Sequence, residues 1–338
     1  MAGDAADVAA SVSLVCGVVA LVTGVALVTL FDSLPLSVQL VPLAVSVVVL
    51  GLPHGAVDHL VLPRVREKPV SLRWLVGFGL GYLALAASYA IGWYLEPVLA
   101  FVGFILLTIF HWGQGDVYAL VSIFDVDHLE TRFQRALTLC VRGGIPMLVP
   151  LVAFPEQYAF VATAVVELFD PAATSALEPV FAPTVRAWVA VGFTALVAVS
   201  LGWGLFQAGP SRSWTLDAGE TVGLVAFFAV VPPILAIGLY FAFWHSVRHV
   251  LRTVLVDRPA ADALEAGSLR TALWRFTRDA APLTAGALVV LVGLALAVPR
   301  TPATLSDLLG VYLVCLAVLT LPHTVVVSLL DWEQRIWA

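Results

Sequence analysis

The sequence predicts an all-α, polytopic membrane protein, with about ten membrane-spanning helices (between eight and ten) packed in one bundle and residues 1–338 forming a single integral membrane domain. Three observations carry this reading. Hydrophobic residues make up 61% of the 338-residue chain and charged residues only 12%, and the mean hydropathy of +0.99 lies far outside the soluble range. Apolar runs long enough to cross about 30 Å of hydrocarbon recur along the chain, and lipid accepts only helices or closed barrels. No segment between the runs is long enough for a separate soluble domain.

The expected spans are 9–31, 36–62, 73–95, 97–122, 132–153, 184–206, 217–231, 233–256, 276–298 and 304–330. The first is read as a retained span, because Met1–Asp7 carries no Lys or Arg and so lacks the basic start of a cleaved signal peptide. The seventh is short. Pro232-Pro233 permits either a turn between two spans or a kink within one long helix. Basic residues favour the turn, since Lys and Arg accumulate on the cytoplasmic side. Arg64, Arg66, Lys68 and Arg73 place the second loop inside, and the base-free, acidic 154–183 connection falls outside. Only a reversal at Pro232-Pro233 then puts Arg258, Arg270, Arg275 and Arg278 inside as well. The result is a multi-pass protein of the cell membrane with both termini cytoplasmic. The 154–183 loop is long enough for a short interfacial helix.

Composition excludes several functions. Cys16, Cys140 and Cys315 all lie in apolar runs, which argues against a disulfide framework or thiolate metal site. Lys68 is the single lysine, against sixteen arginines, and it sits in a loop. A retinal-binding rhodopsin, which needs a lysine within a helix, is therefore excluded. With a net charge of −6, no nucleic-acid partner is expected.

Six of seven histidines fall inside expected spans: His54, His59, His111, His245, His249 and His323; His128 lies in a loop and is expected to face water. An ionisable side chain at membrane depth costs roughly 2.5–3.5 kcal/mol on insertion scales and so marks a functional site. The four helices concerned run in the same direction, so their histidines can converge in one layer. His245 and His249, at i and i+4, share a helical face and can bind one metal ion. His54 and His111 can complete an all-imidazole set suited to Fe, Cu or Zn; the plainer reading of each is an interhelical hydrogen bond. His59, well round its helix from His54, is expected to be structural. Asp58, and Asp116 with Gln114, are placed to orient ligating histidines, or else to pair with the intramembrane Arg142 and Arg248. Phe110, Trp112, Tyr240 and Trp244 are candidates to line an apolar slot for a long hydrocarbon.

Gly51-Leu-Pro-His54-Gly-Ala-Val-Asp58-His59, Phe110-His111-Trp112-Gly113 with Asp116, Trp244-His245-Ser-Val-Arg248-His249 and Leu321-Pro322-His323 resemble, in order and approximate spacing, the Brp/Blh family of membrane carotenoid oxygenases. The resemblance implies a β-carotene 15,15′-dioxygenase that cuts the central double bond of β-carotene, taken from the bilayer, with O₂ to give two all-trans-retinal. It also implies one non-haem Fe(II) on His54, His111, His245 and His249, with His323 near the iron rather than on it. The acidic, arginine-biased composition would fit a salt-adapted microbe using retinal for a rhodopsin. The rival readings are a transporter or metal permease with histidines along its path, and another metal-dependent lipid oxidoreductase. The outer halves of the histidine-bearing spans are almost wholly apolar, which favours a closed site over a pathway.

Overall fold

The computed structural model describes residues 2–338 and is helical throughout, with no strand among the described residues. In chain order the helices are α1 (Ala2–Leu30), α2 (Leu36–Gln39), α3 (Val41–Ser46), α4 (Gly51–Gly55), α5 (Asp58–Val65), α6 (Leu72–Leu95), α7 (Pro97–Tyr118) and α8 (Arg132–Ala153). There follow α9 (Pro155–Val166), α10 (Pro183–Ala208), α11 (Arg212–Val230), α12 (Pro233–Tyr240), α13 (Ser246–Val256), α14 (Arg258–Glu265), α15 (Leu269–Ala297) and α16 (Leu305–Glu333). Single π-helical turns extend α7 over Ala119–Ile123 and join α12 to α13 over Phe241–His245. Among the described residues, nine stretches are long and apolar enough to cross a membrane.

Nine of the ten expected spans are these stretches; the seventh, 217–231, is not among them. Its helix, α11, begins earlier, at Arg212, and carries Asp217 and Glu220, which lower its apolar character. It nevertheless runs back across the bundle. Val231 and Pro232 are extended (ψ 130° and 137°), and Glu220 Oε1 on α11 meets Arg248 Nη2 on α13 at 2.6 Å. A single kinked helix would hold those two residues roughly 40 Å apart at 1.5 Å per residue. The chain therefore reverses at Pro232-Pro233.

The second expected span is not one helix but four short ones, α2 to α5, divided where Pro42, Gly51, Pro53 and Gly55 interrupt the pattern. At Gly51 a Cβ would lie 2.5 Å from the Ser46 carbonyl oxygen, so only glycine permits this fold-back. Irregular backbone at membrane depth is tolerated where protein covers it, and Gly51 to His54 are buried. The 154–183 connection forms α9 and a 3₁₀ stretch, Pro171–Phe181. One face of α9 packs against the bundle through Ala162, Val165 and Val166.

Ion pairs fix which ends lie together. Arg64 pairs with both Asp257 and Asp279, and Arg66 with Glu333 at 2.7 Å. The loops after α5 and α13 and the end of α16 thus share one end of the bundle. Ala5 and Ala9 pack in the same apolar cluster as Ala260, Leu264 and Ile336, so both termini lie at that end too.

Packing runs from an exposed apolar shell to a polar centre. On α6, α10 and α15 large apolar side chains point outward, as Leu83, Trp188 and Leu296 do (65%, 77% and 83% exposed). The stretch through α12 and α13 is almost wholly buried and forms the axis. Beside it, α7 and α8 approach as closely as backbones can: a Cβ at Gly143 would lie 1.7 Å from the Ile109 carbonyl oxygen, and one at Gly113 2.2 Å from that of Leu139. Small residues at such crossings are how membrane helices pack without a hydrophobic drive. Gly143→Ala should therefore cost about 1–3 kcal/mol or more through overpacking, read as a lower melting temperature in detergent. Gly77→Ala, on open space in α6, should leave it unchanged.

Candidate metal centre

Five histidines from α4, α7, the π turn before α13, α13 and α16 meet in one layer. His54, His111, His245, His249 and His323 are each at most 8% exposed. Neighbouring ring centroids lie between 4.6 Å (His245 to His249) and 6.3 Å (His54 to His111) apart. The i, i+4 pair shares a helical face as its spacing predicts, with the two rings tilted at 50°. His323 stands within the layer, 4.7 Å from His111 and 4.9 Å from His54, and its ligand nitrogen groups with theirs within 4.8 Å. His111, His245 and His249 form a second such group.

The ring nitrogens have the arrangement a cation needs. His54 Nδ1 donates to the Gly51 carbonyl, and His323 Nδ1 donates to Asp58 Oδ2 at 2.8 Å, which leaves both Nε2 atoms as bare lone pairs. Those two atoms and His249 Nε2 are buried and lack any protein hydrogen-bond partner, a costly state unless something binds them. His111 Nε2 and His245 Nε2 are 3.1 Å apart, the separation of two nitrogens bound at about 2.0–2.1 Å to a common ion at an angle near 90–110°. The donors are all neutral imidazoles, a set that suits iron, copper or zinc. Gly115 makes room for them, since a Cβ there would lie 2.7 Å from His249 Nε2. Gly55 does the same for His323, at 3.1 Å from Nδ1. Gly55 falls within the Gly51–His59 motif, whereas Gly115 is not named from the sequence, although the Gly113-Gln-Gly115 pattern beside His111 is the visible signal.

The carboxylates divide differently from expectation. Asp58 orients His323, not His54, the histidine one turn before it. Asp116 bonds Trp244 Nε1 (3.1 Å), Arg248 Nη1 (2.9 Å) and, at 3.6 Å, Arg142 Nη1. Gln114 donates to Asp331 and Ser328. Asp116 thus follows its alternative, the intramembrane ion pair. From it a buried ladder continues: Arg248 to Glu220 (2.6 Å), Glu220 to Arg142 (3.1 Å), and Arg142 to Asp217 (2.8 Å). His128 closes it, with Nε2 3.2 Å from Asp217 and 5% exposure, so the expectation that it faces water is overturned: the 124–131 loop tucks beneath α11. Sequence reasoning missed Asp217 and Glu220; two acids in an otherwise apolar run, with Arg142 and Arg248 awaiting partners, were the available signal. A second buried pair, Arg252 with Asp331 (2.7 Å), ties α13 to α16.

Of the four aromatic candidates, Trp112 packs 5.5 Å from His245 and lines a cavity of about 80 Å³. Tyr240 packs behind Trp112 at 5.0 Å with the rings tilted at 45°, and Trp244 lies beneath Arg248 (4.2 Å). Phe110 is 41% exposed on the outer face of α7 and lines neither cavity. Phe241, 5.6 Å from His54, stands instead beside the histidines. A larger apolar cavity of about 420 Å³ has His54 and His323 on its floor, and His59 also lines it.

A family model described as Beta-carotene 15,15'-dioxygenase matches residues 45–331. The chain is 46% identical over 291 residues (86% of this chain, 84% of the relative) to the Probable beta-carotene 15,15'-dioxygenase Blh of Halobacterium salinarum. It is 32% identical over 317 residues (90% and 87%) to the Probable beta-carotene 15,15'-dioxygenase Brp of the same species. A Beta-carotene 15,15'-dioxygenase from an uncultured marine bacterium is 26% identical over 204 residues (60% and 65%). No solved structure matches.

Asp58→Asn removes the carboxylate that orients His323 and should weaken metal binding by about 10–100-fold, measured as metal retained against a graded chelator. Gly115→Ala should lower it as well, by pressing on His249, while helix content is kept. Unaltered retention in both variants would separate these contacts from the metal.

Proposed function

The chain belongs to the beta-carotene 15,15'-dioxygenase family, and from that premise we propose that it cleaves the central double bond of β-carotene with O₂ to give two molecules of all-trans-retinal. The carbon–carbon double bond is lost, and each of its carbons takes one oxygen atom as an aldehyde. Both atoms of O₂ are thereby consumed, and no external reductant is needed. The observation that carries the reading is the buried imidazole layer, with its unpartnered nitrogens, at the floor of an apolar cavity.

His54, His111, His245 and His249 would hold Fe(II), which when bound would supply the site of O₂ activation. His323, turned by Asp58, brings its own nitrogen beside those of His54 and His111, near the iron rather than on it. The residues around the layer do the rest. Trp112 and Phe241 give the polyene flat apolar contacts and, with the aliphatic lining, exclude water, so which bond is cut is a matter of positioning. Tyr240 and Trp244 hold Trp112 and Asp116 in place behind it. Apolar cavity walls also argue against a polar transport path.

A polytopic membrane protein draws so apolar a substrate from the bilayer. We place it in the cell membrane with both termini cytoplasmic, because the end of the bundle that holds both termini also carries Arg64, Arg66, Lys68, Arg258 and Arg270. The single lysine, Lys68, lies exposed in the loop between α5 and α6 and lines neither cavity, so retinal leaves as the free aldehyde, available to a rhodopsin. Expression in cells that accumulate β-carotene should give retinal as β-carotene disappears, with about one iron per chain. His245→Ala and His249→Ala should each abolish both iron and retinal; a variant with full iron and no turnover would remove that residue from the ligand set.

A further inference from the structure

The two cavities lie end to end on one helix. Leu309 and Leu313 of α16 line the smaller cavity, Leu319 and His323 line the larger, and Leu316 lines both. These positions follow one another by three or four residues, so they form a single stripe on α16. From Leu309 to His323 the stripe runs roughly 21 Å at 1.5 Å per residue. Leu316 stands two turns from His323 on the same face, half-buried, where one cavity ends and the other begins.

The larger cavity also has an open side. Helices α6 and α15 each pack on α16 and meet each other near their far ends, where Tyr94 donates to the Ala297 carbonyl (2.7 Å). Below that latch a cleft widens. Leu83 and Leu283 on its rim are 65% and 37% exposed, whereas His54 and His323 on its floor are 8% and 5%. Gly79 and Gly286, from the two walls, present no side chain to the gap, and the space beyond their backbones is open. Apolar lining from rim to floor suits a hydrocarbon arriving from the bilayer and offers little to a polar molecule.

Resting on the carotenoid-cleaving reading above, we propose that the two cavities form one substrate channel, entered from the bilayer between α6 and α15, and that Leu316 is its specificity-determining partition. The leading half of the polyene passes the histidine floor and advances along the α16 stripe into the smaller chamber. The trailing half stays in the cleft. How far the leading end travels past Leu316 fixes which double bond rests against the histidines, so central cleavage is measured by the depth of the second chamber.

The test compares Leu316→Trp and Leu316→Ala with the unaltered protein, each purified with its iron and supplied with β-carotene in detergent, with aldehyde products separated by chain length. L316W should halt the leading half early. Retinal should fall at least tenfold, with the remaining product shifted to unequal aldehydes, while iron content stays at that of the unaltered protein. L316A should admit the chain more freely and also broaden the product set. Should L316W fail to accumulate, Leu316→Phe carries the same expectation. Retinal as the sole product at an unchanged rate in both variants overturns the partition. Absence of retinal from the unaltered protein overturns the carotenoid reading itself, which is a separate result.

Discussion

The structure depends on a row of charges taken out of water at membrane depth. Asp116, Arg248, Glu220, Arg142 and Asp217 alternate in sign through α7, α13, α11 and α8, and each is buried. Removing one partner from such a buried pair leaves an uncompensated charge, at about 3–5 kcal/mol. The ladder is therefore satisfied only when those four helices stand in one relative arrangement. Arg248 lies between His245 and His249 in sequence, and Arg252 is one turn beyond it, so α13 carries an arginine stripe beside a histidine stripe. Anchoring the arginines to Asp116, Glu220 and Asp331 fixes the rotation of the helix and with it the direction of both imidazoles.

Charge and apolarity are thereby kept on opposite sides of the histidine layer. The ladder is anchored on α13 through Arg248, whereas no residue of α13 lines the two cavities, which are walled by aliphatic and aromatic groups. Imidazole is the side chain suited to that boundary: neutral, able to anchor through one nitrogen and offer the other. His323 shows both halves of the arrangement, with Asp58 at Nδ1 and a bare Nε2 facing its neighbours.

Much of this was legible in the sequence because it depends on periodicity within a helix. The spans, the i, i+4 pairing of His245 with His249, the common depth of His54 and His111, and the reversal at Pro232-Pro233 all follow from spacing and from where arginines sit. What spacing does not encode is the partner across a helix interface. Asp58 lies one turn from His54 yet serves His323, 265 positions away in sequence. Asp116 follows His111 closely but bonds to α13 and α8. The rotation of α7 about its own axis, set by the Gly113 and Gly143 contact, turned Phe110 outward and Trp112 inward. His128 looked like a loop residue because nothing local announces that Asp217 will meet it. The second span read as continuous because its hydropathy is, although its prolines and glycines were the trace of its breaks.

The ladder also bears on how the chain enters the membrane. Of the nine apolar stretches, the one that includes α13 is the least apolar, and α11 falls short of the nine because of the acids it carries. Alone, each would bring unpaired charge into hydrocarbon, at a few kcal/mol per group. Glu220 on the earlier helix neutralises Arg248 on the later, and only the short Val231-Pro232 connection separates their helices. The hairpin is thus the smallest unit in which Arg248 meets an opposite charge, and Arg142 on α8 joins it to the bundle through Glu220 and Asp217.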